Sequence, residues 1–171
     1  MRHVLVVMGS DSDLRVMKGA VDALAELGIP YDVRIASAHR TPEKTARLIA
    51  QAEATGYGAI IAGAGGAAHL PGVVAAATTL PVIGVPIASG ALNGVDALYA
   101  IVQMPKGIPV ATVATDGAYN AGLLAAQILA VGDPELSERL KTQRQELAQQ
   151  VEDRDRRLQE LGVDGYLAQG R

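Results

Sequence analysis

His3-Val4-Leu5-Val6-Val7-Met8, then Gly9-Ser10-Asp11-Ser12-Asp13, then a helical pattern closing at Gly28, then Tyr31 to Ala36: the order of these four pieces decides the fold. The first and last are short runs of β-type apolar residues, which read as strands. Between them Leu14, Met17, Val21, Leu24 and Leu27 recur at spacings of three and four, one face of an α-helix, and Gly28 follows as a C-cap. The same alternation continues. Pro42 to Thr55 reads as a helix stopped by Gly56, and Ala59 to Ala62, Val82 to Val85 and Val110 to Val113 read as strands with helices filling the gaps. Strand, helix, strand in repeated sequence requires right-handed crossovers and a parallel sheet covered on both faces. The predicted fold is therefore α/β, a three-layer αβα sandwich with a flavodoxin-like parallel sheet.

Beyond Gly132-Asp133-Pro134 the pattern changes. Leu136, Leu140, Leu147, Val151, Leu158 and Leu161 make a narrow apolar stripe at nearly heptad spacing on a long, charged helix. We expect residues 1–132 to form the substrate-binding and catalytic domain. Residues 133–171 are expected to form a C-terminal helix and tail that pack on the same subunit or grip a neighbouring one, with Val163 to Arg171 frayed. No internal repeat or second domain is expected.

At 171 residues the chain suits one domain, and a domain of this size buries roughly two-thirds of the surface of its unfolded chain. The net charge of -3, and the lack of any basic run outside Arg154 to Arg157, argue against a nucleic-acid partner. Absence of cysteine excludes disulfides, thiolate nucleophiles and sulfur-ligated metals, and fits a reducing, cytoplasmic setting. The opening run is too short for a signal peptide, and Gly and Pro interrupt the apolar stretch from Ala59 to Leu92, so no membrane span is expected. Between residues 57 and 132 the charged side chains are Asp96, Lys106 and Asp116 alone, whereas residues 133–171 hold sixteen. Either other subunits cover that segment, or an Ala- and Gly-rich centre is buried by its own helices. Oligomerisation is the preferred expectation.

Ligands of open parallel sheets bind outside the carboxyl ends of the strands, so the chemistry is sought in the loops that follow each strand. Gly9-Ser10-Asp11-Ser12-Asp13 leads into a helix, where free N–H groups and hydroxyls suit phosphate; Asp13 alternatively serves only as an N-cap. Ser37-Ala38-His39-Arg40-Thr41-Pro42 places an imidazole and a guanidinium between a strand and a helix. Arg40 suits phosphate or carboxylate and His39 suits general acid–base work, while the plainer reading is a solvated loop capped by Thr41. Gly63-Ala64-Gly65-Gly66-Ala67-Ala68-His69-Leu70-Pro71-Gly72 has almost no side chain before His69, so a ligand can lie against its backbone. It holds no G-x-G-x-x-G, and no acid follows about twenty residues on, which disfavours a nicotinamide cofactor. His69 reads either as a structural histidine or as a second polar contact to the ligand. The segments Gly84 to Gly94 and Gln103 to Pro109 are Gly/Pro-rich walls, and neither a metal-ligand cluster nor a G-x-S-x-G elbow occurs. What remains is an acid–base site expected to use neither metal nor cofactor.

Met8 to Asp13, Ser37 to Pro42, Ala62 to Gly72 and Gln103-Met104-Pro105, in this order and across nearly the whole chain, resemble the N5-carboxyaminoimidazole ribonucleotide mutases. The glycine run resembles the bacterial class of these enzymes. The stretch Ala114 to Asn120 looks shorter than in some members, so a different loop shape is expected there. The resemblance implies conversion of N5-carboxyaminoimidazole ribonucleotide to 4-carboxy-5-aminoimidazole ribonucleotide in purine biosynthesis, without cofactor, in a cytoplasmic homo-octamer. It further implies His39 as the acid and base, Ser10 and Arg40 on the 5'-phosphate, and Asp13 on the ribose hydroxyls. Ser37 is implied in the geometry of the loop, and the backbone of Ala64, Gly65, Ala67, His69 and Leu70 against the base and its carboxylate. The competing readings are a lyase-type carboxylase that adds free carbon dioxide to aminoimidazole ribonucleotide, and a non-catalytic nucleotide sensor.

Overall fold

The computed structural model describes residues 2–169. Strands β1 (His3–Met8), β2 (Tyr31–Ile35), β3 (Tyr57–Gly65), β4 (Val82–Ile87) and β5 (Ala111–Thr112) form one parallel sheet in the order β2-β1-β3-β4-β5. This is the flavodoxin-like order. The helices are α1 (Leu14–Glu26), α2 (Pro42–Ala52), α3 (Leu70–Ala76), α4 (Val95–Val102), α5 (Ala118–Ala130) and α6 (Pro134–Ala168).

β1 alternates between two cores. Val4, Val6 and Met8 pack under α1 and α5 with Leu136 of α6, while Leu5 and Val7 pack with Ile49 of α2, Val74 of α3 and Ile101 of α4. A strand buried on both faces has no polar face to show, which is why its sequence is an unbroken apolar run. α1 and α2 are followed by Gly28 and Gly56 at φ +64° and +87°, as expected of left-handed helix ends.

Three strands differ from expectation by more than one residue, β4 by running two residues past Val85 to Ile87. β3 runs past Ala62 through Gly63, Ala64 and Gly65, residues of low strand propensity that pair with Val85, Pro86 and Ile87 because the sheet holds them. β5, at the far edge, pairs only through Ala111 and Thr112.

The start of α6 docks on its own domain. Asp133 caps it by accepting from the Leu136 N–H at 3.0 Å, Leu136 is fully buried and Leu140 packs against the same core. From residue 144 to 157 every side chain is exposed, so Leu147, beside Leu123 at the edge of α5, and Val151 keep half or more of their apolar surface open. The expectation of a frayed tail is corrected for residues 163–169. Gly162 breaks the helix at φ +65°, ψ 172°, after which a short helical segment turns back. There the Arg157 guanidinium lies 5.7 Å from the centre of the Tyr166 ring and donates to the Gln169 side chain at 2.6 Å. The expectation for residues 170 and 171 lies outside the described residues.

The charge-poor middle has two sources. β3 and β4 are buried by the molecule's own helices, but Val73, Val95, Tyr99 and Val102 on α3 and α4 remain about half exposed. No helix among the described residues is long and apolar enough to cross a membrane.

Candidate active site

The chain leaves β1 for β2 at one side and returns to β3 at the other, so the loops after β1 and β3 diverge and open a crevice at the sheet's switch point. The loops after β1, β2 and β3 meet there around a cavity of about 250 Å³, which the loop after β4 reaches through Ser89. Its walls hold Ser10 and Asp13 from the first loop, Ser37, His39 and Arg40 from the second, and Ala64, Gly65, His69 and Leu70 from the third. Of the residues expected at the site from the sequence, Ala67 stands apart: it is exposed on the outer side of its loop. Its place is in the turn that the Ala68 N–H closes on the Gly65 carbonyl at 3.2 Å.

The first loop is not capped by Asp13. Ser10, not Asp13, accepts a backbone N–H, that of Ser12 at 3.3 Å, while Asp13 makes no side-chain cap bond to α1. The Asp13 carboxylate instead accepts from the Ser12 hydroxyl at 3.3 Å and faces the cavity. Burial raises its carboxyl above the ordinary value of 3.8, opposed by hydrogen bonds from Ser12 and Ser10 and by the Arg40 charge.

The second loop ties itself into shape. Thr41 makes no cap bond to α2; its hydroxyl accepts the Ser37 N–H at 2.9 Å and donates back to the Ser37 carbonyl at 3.2 Å. The Arg40 N–H in turn donates to the Ser37 hydroxyl at 3.1 Å, so nearly buried Ser37 is the pin on which the loop turns. The Arg40 guanidinium donates to the Gly9 carbonyl at 2.8 Å. That bond aligns it with the first loop and leaves the rest of its five donors for an anion.

His39 Nε2 and His69 Nδ1 lie 2.6 Å apart, with the rings edge to face at 4.8 Å between centres. One hydrogen sits between the two nitrogens, so one imidazole donates and the other accepts. The pair stands between the cavity and a second hollow of about 370 Å³ lined by Gly72, Val73, Ala100 and Met104. The glycine wall is tight at one point: a Cβ on Gly65 would lie 2.7 Å from the Ser89 Oγ and 3.1 Å from the Ile87 carbonyl. Ser12, Ala38 and Ser89 also line the cavity and were not singled out from the sequence. For Ser89 no sequence signal existed, because its loop carries no ionisable group before Asp96. Among the described residues no cluster of three or more His, Asp or Glu side chains is placed to hold a metal ion.

A model of the AIR carboxylase family matches residues 3–150. The chain belongs to this family. Within it, the N5-carboxyaminoimidazole ribonucleotide mutase of Pyrococcus horikoshii is 56% identical over 164 residues, which covers 96% of this chain and 93% of that protein. The mutase of the same name from Thermotoga maritima is 52% identical and covers 99% of both chains. Among solved structures, Treponema denticola PurE superposes with a TM-score of 0.84 at 32% identity, over 91% of this chain and 98% of that one. The fold and nearly the whole chain thus belong to an enzyme family.

Proposed function

We propose that this chain is an isomerase of purine biosynthesis that converts N5-carboxyaminoimidazole ribonucleotide to 4-carboxy-5-aminoimidazole ribonucleotide. The observation that carries the reading is the His39–His69 pair at the edge of a cavity with a glycine wall on one side and Arg40, Ser10 and Asp13 on the other. The full-length relatives named as mutases support it. Ser10 and Arg40 hold the 5'-phosphate, Asp13 the ribose hydroxyls, and Ser37 the loop that aims His39. The backbone of Ala64, Gly65 and Leu70 faces the base and its carboxylate, Ala67 only closes the turn behind them, and His69 supports His39.

The route uses one proton and no cofactor. As the N–C bond of the carbamate breaks, His39 gives its proton to that nitrogen, which leaves carbon dioxide and a neutral, electron-rich aminoimidazole. C4 then attacks the same carbon dioxide, and His39 takes the C4 proton, restoring the aromatic ring and its own starting state. Confinement makes the recombination effectively unimolecular. Walls of Gly, Ala and Leu70 carry few polar side chains, and oriented backbone N–H groups are the donors they offer the gas.

The assembly is a cytoplasmic homo-oligomer, an octamer by resemblance. The stripe of α6 that leaves its own domain and the half-exposed apolar residues of α3 and α4 are the surfaces that such an assembly covers.

The test is a comparison of substrates. Turnover of the N-carboxylated ribonucleotide is measured at low bicarbonate against turnover of aminoimidazole ribonucleotide with added bicarbonate. A mutase works in the first condition; preference for the second identifies a carboxylase, and ligand binding without turnover in either identifies a sensor.

A further inference from the structure

Ser89 lines the cavity, yet no protein group bonds to its hydroxyl among the described residues. It follows β4 by two positions, and its Oγ lies against Gly65, at the glycine wall and not among the residues assigned to the phosphate. The loop that carries it is clamped at its base. Asp116, just after β5, accepts the Ala88 N–H on its carboxylate at 2.9 Å and donates its own N–H to the Pro86 carbonyl at 2.8 Å. These two bonds reach β4 on either side of Ile87. Asp116 does so from φ +59°, a left-handed conformation that aspartate tolerates better than most residues. The other end of the loop closes on the same point, where Gly94 at φ +85° leaves only 3.0 Å between a built Cβ and the Ala88 Cα. The result is a loop tied at both ends that presents one free hydroxyl to the cavity.

We propose that Ser89 contacts the substrate by donating a hydrogen bond to the carboxylate of the carboxylated aminoimidazole, and that Asp116 is the positioning residue that holds it there. The inference rests on the reaction proposed above and assigns the group that distinguishes a carboxylated base from a bare one. Hydroxyl donors to carboxylates form short, charge-assisted bonds, so loss of this one acts on carboxylated ligands selectively.

Calorimetric titration decides the matter, with 4-carboxy-5-aminoimidazole ribonucleotide and with aminoimidazole ribonucleotide as separate ligands. Ser89→Ala weakens binding of the first about tenfold and leaves the second within about twofold of wild type. Asp116→Ala shows the same selective loss. Asp116→Asn, which keeps a side-chain carbonyl for the Ala88 N–H, restores the wild-type preference. Equal weakening of both ligands by Ser89→Ala, or weakening of neither, overturns the proposal. If Asp116→Ala lowers the melting temperature so far that it cannot be titrated, Ser89→Ala and Asp116→Asn together still decide. Wild-type protein that does not turn over the N-carboxylated substrate sinks the proposed reaction itself; wild-type turnover with Ser89→Ala unaffected sinks only the role of Ser89.

Discussion

The two ends of the sheet are made by the same strands and treat their polar groups in opposite ways. At the amino ends the carboxylates of Glu53 and Asp32 are bonded within the protein. Glu53 Oε1 accepts the Thr78 hydroxyl, the Thr79 N–H and the Thr79 hydroxyl, each at 2.9 Å, and Tyr57 donates to Asp32 at 2.6 Å. The Tyr57 phenol is pushed up to about 12, by burial first and by the Asp32 carboxylate second. At the carboxyl ends, capacity is left open: Asp13 caps nothing, Arg40 has donors to spare, Ser89 is unpartnered, and His39 and His69 bond to each other. The hollows at the amino ends are larger, about 840 Å³ and 1050 Å³ against about 250 Å³. Volume therefore misleads here. Unsatisfied hydrogen-bonding capacity at a topological switch point marks the functional end, because only such groups can exchange water for a ligand.

The sharpest way to break this contrast is His39→Asn, which keeps a polar side chain of similar reach but removes the proton carrier. We expect kcat to fall about 10²- to 10⁴-fold, with binding of the product ribonucleotide and the melting temperature close to wild type. A loss below tenfold would remove His39 from its role. Asp13→Asn comes next, with substrate binding weakened about tenfold. Its stability moves the other way. Burial raises the folded carboxyl above 3.8, so the folded chain holds that proton more tightly than the unfolded one, and stability falls as pH rises through this window. The neutral amide avoids the cost at pH 7, and differential scanning calorimetry should show a melting temperature no lower than wild type, higher by at most about 2 °C.

Glu53→Gln tests the closed end and has the smallest effect. The Thr79 N–H and the hydroxyls of Thr78 and Thr79 hold the Glu53 carboxyl below its ordinary 4.5, so its stabilisation is present above that value and lost as pH falls through the lowered one. The variant should melt below wild type at neutral pH, the gap should close in acid, and kcat should not change. A fall in kcat would mean that the two ends are coupled.

Much of the fold was legible because β1 and the α1 stripe are local patterns. β3 was read four residues long and is nine: it begins two residues earlier at Tyr57, and Gly63, Ala64 and Gly65 are strand only by virtue of their neighbours on β4. Asp13 and Thr41 both looked like caps, and both are at cap positions without a cap bond. Short polar side chains have several backbone partners within reach, and the fold of the loop selects among them. The tail past Gly162 was misread as frayed because the Arg157–Tyr166 stacking that organises it crosses a helix break.

By itself the sequence determined the element order, the parallel sheet and the chemical types in each loop, because these follow from periodicity, turn residues and the right-handed crossover. Which groups touch was decided only by the tertiary structure. The contact of His39 with His69 spans thirty residues, and that of Arg40 with Gly9 spans thirty-one. Both exist because β1 lies between β2 and β3, and the same strand order sets Ser89 of the β4 loop against Gly65. Spacing along a chain carries no information about such meetings; the order of strands in the sheet does.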